Sequence, residues 1–130
     1  DKKLIQELGG SEELISSREF VSYNNEWADK NKAKIFAIIL DDKAIGLISL
    51  SRINKKTHEA GAGYWIASKY WNHGYTSKAF EQLLNLAKEY NIRFILGTIS
   101  KDNKKSLAIW KKFNAKFETR GDNFLSKICL

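Results

Sequence analysis

The sequence predicts one α/β domain of α+β arrangement: a mixed, mostly antiparallel sheet with one central parallel strand pair, flanked by helices. Three observations lead there. The 130 residues are 43% hydrophobic and 12% aromatic, the size and apolar content of one domain with one core. β-Branched runs occur in hairpin-spaced pairs, Lys34–Leu40 with Ala44–Leu50 and two more within Lys116–Leu130. Between the hairpins, a strand, a helical pattern and a second strand run from Gly63 to Ile99, and such a crossover joins parallel neighbours.

Each element follows from local chemistry. Ser11 to about Lys30 reads as helical: Ser11 caps, Glu12 and Glu13 suit the positive helix end, and Leu14, Ile15, Phe20, Val21 and Trp27 supply apolar faces. Asn24 and Asn25 interrupt that face and leave room for two short helices. Asp41-Asp42-Lys43 turns the first hairpin, and Asn54-Lys55-Lys56 turns toward a third strand over His58–Ala67. Its small first half and aromatic second half suit a strand carrying a bulge. From Thr76 to Tyr90, Phe80, Leu83, Leu84 and Ala87 follow helical spacing, and Asn91 suits the left-handed stop. Arg93–Ile99 is a strand. Asp102-Asn103 then caps a helix with the stripe Leu107, Trp110 and Phe113, which Asn114 ends. The tail forms a second hairpin hinged at Arg120-Gly121-Asp122-Asn123.

The net charge of +7, from 22 basic and 15 acidic residues, favours an anionic partner: a phosphorylated cofactor, RNA or an acidic substrate. Most of these cations are lysines, point charges without the bidentate fork of arginine. A single cysteine excludes an intrachain disulfide and a multi-thiolate zinc site, and no metal is expected. Cys129 reads as a buried packing thiol in a terminal strand, and His58 and His73 as ordinary surface or loop histidines. No run approaches the roughly 18 apolar residues of a membrane span, and no signal-peptide core follows Asp1, so a cytoplasmic protein without a membrane partner is expected. With neither Met nor Pro in the chain, Asp1 is expected not to be the translation start.

The most informative stretch is Trp71-Asn72-His73-Gly74-Tyr75-Thr76-Ser77. It joins a strand to the clearest helix and offers consecutive N–H groups at a positive helix end, where a pyrophosphate binds well. Two sharper nucleotide motifs are excluded. The P-loop pattern is absent, and Gly61-Ala62-Gly63 runs into a strand where a dinucleotide fingerprint must open a helix.

Gly63-Tyr64-Trp65-Ile66-Ala67, Tyr70-Trp71-Asn72-His73-Gly74-Tyr75-Thr76 and Asn103-Lys104-Lys105-Ser106, in that order and spacing, resemble the GNAT N-acetyltransferase superfamily. The similarity is to its branch acting on ribosomal-protein N-termini, the RimJ/RimL-like acetyltransferases, and it spans roughly Lys34 to Glu118. It implies a single GNAT-like domain over residues 1–130, acetyl-CoA as co-substrate and a primary amine as acceptor, foremost a protein N-terminal α-amine. A small amine or antibiotic is the alternative acceptor.

By position, the family's cofactor-loop pattern falls on Trp71, Gly74 and Thr76, and the resemblance assigns the pyrophosphate to the loop formed with Asn72, His73, Tyr75 and Ser77. It implies backbone pairing of pantetheine with Ile66 and Ala67, and contact between Asn103 and the pantetheine arm. Glu59 is the implied base, an N–H near Ile66 the oxyanion donor, and Ser106 the acid, because Trp110 stands where many relatives carry a tyrosine. Asn114 replaces a common glycine, and Asp1–Gly10 matches the family's first strand poorly, so a domain lacking that strand is expected. Two other classes remain open. One is an RNA- or ribosome-binding domain using Lys101, Lys104, Lys105, Lys111 and Lys112 with Trp110; the other is a degenerate CoA-binding protein.

Overall fold

The computed structural model describes residues 5–7 and 32–130. The helices expected over Ser11–Lys30 lie outside the described residues. In chain order the elements are β1 (Ile5–Glu7), β2 (Lys34–Leu40), β3 (Lys43–Asn54), β4 (Glu59–Ile66), a 3-10 turn at Ser68–Tyr70, and α1 (Tyr75–Glu89). Then follow β5 (Phe94–Ser100), α2 (Lys104–Lys112), β6 (Lys116–Arg120) and β7 (Asn123–Cys129). The strands form one sheet in the order β1-β2-β3-β4-β5-β7-β6. β4 and β5 are its parallel pair, and the other neighbours run antiparallel, as the crossover from Gly63 to Ile99 implies.

Turn chemistry sets the first hairpin. Asp41 and Asp42 both take positive φ, 49° and 64°, the mirror-image turn whose twist matches its strands. Asn91 and Asn114 close the two helices in the left-handed region, at φ 61° and 64°.

Three expectations are corrected. Ile5–Glu7 forms a strand against β2 where Asp1–Gly10 gives no such signal, because three residues are too few to show alternation. The irregularity expected in β4 belongs to β3: Ser51 pairs with Gly61 and Asn54 with Glu59, so Arg52 and Ile53 together oppose Ala60. Arg52 takes φ 49°, and β4 itself stays regular. Cys129 is exposed, because strand alternation turns Ile128 into the core and its neighbour out.

The main core lies between one sheet face and the two helices. Phe36, Ile38, Ile48 and Leu50 meet Phe80, Leu83 and Ala87 of α1, with Trp110 of α2 and Ile95 of β5. Alternation puts Ile35 and Ala37 on the opposite face, in a second cluster with Ile39 and Leu47. Trp110 packs directly against Gly97, where a Cβ would come within 2.6 Å of the indole. Its ring also packs 5.2 Å from Phe80. No helix among the described residues is long and apolar enough to cross a membrane.

β4 and β5 pair through Glu59, Ala60 and Gly61 against Phe94, Ile95 and Leu96, and then stop. Both strands continue, β4 to Ile66 and β5 to Ser100, leaving a gap between their C-terminal halves.

Gly97→Val is expected to lower the free energy of unfolding by about 1–3 kcal/mol or more, read by urea denaturation, since the added side chain displaces Trp110. Gly63→Ala, whose Cβ meets nothing closer than 3.7 Å, is the near-neutral control.

Candidate cofactor and active site

The gap between β4 and β5 opens into a cavity of about 540 Å³, a size suited to an extended small ligand. At its foot stands the start of α1. Gly74 occupies the N-cap with φ 77°, a conformation that favours glycine, and no side chain caps the helix. Lys78 N–H is the first to bond within the helix, to Gly74 C=O at 3.1 Å. The N–H groups of Tyr75, Thr76 and Ser77 precede that bond and point out of the helix end. With no acidic residue in the first turn, the positive end of the helix dipole is left uncompensated.

Cations gather at the same place. Lys112 Nζ donates to Ser77 Oγ at 3.1 Å, and Lys105 Nζ lies 4.5 Å from the centre of the Trp71 ring. Trp71 is fixed from its other edge, where Nε1 donates to Ile66 C=O at 3.0 Å. An aromatic plate, the Lys105 ammonium and a fan of N–H donors thus surround one opening, with the Lys112 ammonium bound to Ser77 beside it. Asn72, at φ 66°, lines it with Trp71, Gly74 and Thr76. His73 does not; its ring stacks on Tyr75 with centroids 5.4 Å apart.

The free edge of β4 has a definite polarity. Ala67 N–H donates to Ile45 C=O at 2.9 Å, across to β3. Antiparallel alternation therefore turns the N–H groups of Ile66 and Tyr64 toward the gap. Ile66 C=O is taken by Trp71, so its N–H is the donor this residue presents. Ala67 presents neither group, because its C=O accepts from Tyr70 N–H at 2.9 Å and its N–H belongs to the sheet. The pairing edge expected at Ile66 and Ala67 is thus offered by Ile66 and Tyr64. Strand alternation gives the Ala67 N–H to β3, and the 3-10 turn directly after it, invisible to strand periodicity, takes the C=O.

Across the gap, Asn103 caps α2, its Oδ1 accepting from Ser106 N–H at 3.2 Å. That contact uses the side-chain oxygen and leaves the amide NH₂ for a ligand. Ser106 is held at the cavity wall, where its Oγ accepts a 2.7 Å hydrogen bond from the Tyr64 hydroxyl. Burial pushes the Tyr64 phenol above its ordinary pKa, while its polar neighbours Ser106 and Trp110 oppose the shift. Trp110 itself is buried and carries no hydroxyl.

Glu59 is not brought to this site. It opens β4, pairs with Phe94, and lies five residues before Tyr64, about 17 Å along an extended strand. Alternation also turns it to the other sheet face. Among the described residues no carboxylate lines the cavity. Tyr64, Trp65 and Lys105 line the cavity beside the residues expected there. The period of two in β4 places Tyr64 on the helix-covered face with Ala62 and Ile66, and was the available signal. Nothing local foretells Lys105 over Trp71, which depends on how α2 docks.

Comparison with known proteins places this geometry. Over 69 residues the chain is 32% identical to the ribosomal-protein-serine acetyltransferase of Escherichia coli strain K12, a match covering 53% of this chain and 38% of that protein. The chain thus spans well under half of that curated relative. Among solved structures, RimL, a ribosomal L7/L12 alpha-N-protein acetyltransferase in complex with coenzyme A, superposes with a TM-score of 0.75 at 21% identity. That likeness covers 87% of this chain and 71% of RimL. Mycobacterium smegmatis RimJ in complex with CoA-disulfide gives 0.76 at 20% identity, over 85% of this chain and 59% of RimJ. At these identities both show the shared fold. The family model described as acetyltransferase (GNAT) domain matches residues 5–116, which takes in the sheet from β1 to β5, the open start of α1 and the Asn103–Ser106 turn; the chain belongs to the GNAT acetyltransferase family.

Proposed function

We propose that this protein transfers an acetyl group from acetyl-CoA to a primary amine, foremost the α-amine of a protein N-terminus, in the cytoplasm. The observation that carries the reading is the uncapped start of α1, flanked by Lys105 and Lys112, at the foot of the unpaired edge of β4. A phosphate-bearing head fits the first and an extended amide-containing arm fits the second. The pyrophosphate rests on the N–H groups after Gly74, and the pantetheine arm pairs with β4 at Tyr64 and Ile66. Asn103 contacts the arm through its free NH₂.

The chemistry follows from the groups at the gap. A backbone N–H on the β4 edge steadies the oxyanion formed when the amine attacks the thioester carbon. Ser106 hydrogen-bonds the departing sulfur. An α-amine with a pKa of about 8 is already neutral in roughly one molecule in ten at pH 7, so loss of its proton to water suffices without a carboxylate. Sequence similarity to a ribosomal-protein-serine acetyltransferase favours a peptide α-amine as acceptor. A solved relative at TM-score 0.73 is a spermidine N-acetyltransferase chimera, but the net charge of +7 on this chain repels a polycation. The lysines considered for RNA include Lys105 and Lys112, which here face the cofactor loop.

Calorimetry with acetyl-CoA tests the cofactor site: micromolar binding is expected, weakened at least about 30-fold by Gly74→Glu, which places a carboxylate at the anion cradle. Undetectable binding to the folded wild type sinks the reading. With a peptide bearing an N-terminal serine, Ser106→Ala is expected to lower kcat roughly 10- to 100-fold in an initial-rate assay. Glu59→Gln is expected to stay within about threefold of wild type in kcat/KM, and a hundredfold loss would restore it as the base.

A further inference from the structure

We propose that Tyr64 is a positioning residue for the transfer step, its phenol holding the Ser106 hydroxyl so that the serine hydrogen faces the departing sulfur. This role rests on the acetyl-transfer reading above. A serine hydroxyl carries one hydrogen and two acceptor lone pairs, and rotates freely unless something holds it. Here the Tyr64 O–H occupies one lone pair at 2.7 Å, the ordinary length for a well-formed hydrogen bond between hydroxyls. Ser106 cannot then turn its own hydrogen back toward β4. A second contact of Ser106, from its N–H to Asn103 Oδ1, pins its backbone in the first turn of α2. The serine hydrogen is left for the cavity that Ser106 lines.

Tyr64 suits this task because it is fixed and stays protonated. Its backbone pairs with Ile48 in the sheet, and its ring meets Phe80 edge-on, with centroids 5.8 Å apart and planes at 82°. Burial pushes the phenol's pKa above its ordinary value, so the group is a hydrogen donor at neutral pH. The tyrosine is therefore an anchor on the strand side of the gap for a hydroxyl on the helix side.

The balance of the step is simple. The amine nitrogen forms a bond to the thioester carbon, the C–S bond breaks, and its electron pair leaves on sulfur. Ser106 stabilises that charge by hydrogen bonding. The proton lost by the amine passes to solvent, from which the thiolate recovers one. Tyr64 and Ser106 remain neutral throughout, and neither bonds covalently to substrate.

A double-mutant cycle tests the role with acetyl-CoA and a peptide carrying an N-terminal serine. Tyr64→Phe is expected to lower kcat about tenfold, with acetyl-CoA affinity held within about twofold. In the Ser106→Ala background the same substitution is expected to change kcat by less than about twofold, because the hydroxyl it positions is gone. The conservative replacement, 3-fluorotyrosine at position 64, keeps ring and hydroxyl and is expected to retain kcat within about twofold even if Tyr64→Phe disturbs folding. Equal losses in both backgrounds, or a Tyr64→Phe enzyme as fast as wild type, would overturn the proposal. A folded wild type that binds acetyl-CoA but forms no acetylated peptide would instead overturn the transfer reading, and this role with it.

Discussion

Everything at the candidate site hangs on the parting of two parallel strands. β4 and β5 share three residue pairs, and beyond Gly61 and Leu96 each continues without the other. At the point of parting, Gly97 of β5 lets the Trp110 indole lie directly on the backbone. Phe80 of α1 packs against that indole and against Tyr64 of β4, so one aromatic group ties both helices to both strands. An unpaired strand edge inside a fold exposes peptide groups that need partners. Its persistence here gives a ligand with amide groups a template of matching spacing.

The second constraint is electrostatic and belongs to the same corner. A helix start without a capping side chain or an acidic first turn forgoes stabilisation that a cap supplies, typically about 1 kcal/mol. That sacrifice is intelligible where an anion completes the cap. Lys105 and Lys112 add charge from the other helix, one held by an aromatic face and the other by a hydroxyl of the cradle. Trp71 links the two features, since the indole that supports Lys105 also closes the carbonyl of Ile66. The last residue of β4 is thereby left as a donor, the polarity that an oxyanion requires.

Packing also sets which side chains meet at the cavity wall. Trp110 cannot offer a hydroxyl, yet its bulk fills the centre of the core and stands beside the Tyr64 phenol. Two of the hydroxyls that line the cavity, those of Tyr64 on β4 and Ser106 on α2, are joined by one hydrogen bond across the gap.

Sequence alone determined what depends on neighbours along the chain. The Asp41-Asp42 turn, the left-handed stops at Asn91 and Asn114, the stripe of α1 and the Asn103 cap are local chemistry, and each was legible. The crossover between β4 and β5 was legible too, because a helix between two strands has one compact way to pack. The loop from Trp71 to Ser77 is legible because it carries a glycine where a strand gives way to the clearest helical pattern. What tertiary structure decided was direction and distance. Glu59 and Ile66 share a strand in sequence, but rigid extension carries them to opposite ends of it, and the paired end is where Glu59 falls. The Ala67 N–H is taken by β3, and the His73 ring stacks on Tyr75. Tyr64 met Ser106, 42 residues away, because two elements dock across the gap. Such contacts arise from the packing of whole elements, and no periodicity along the chain encodes them.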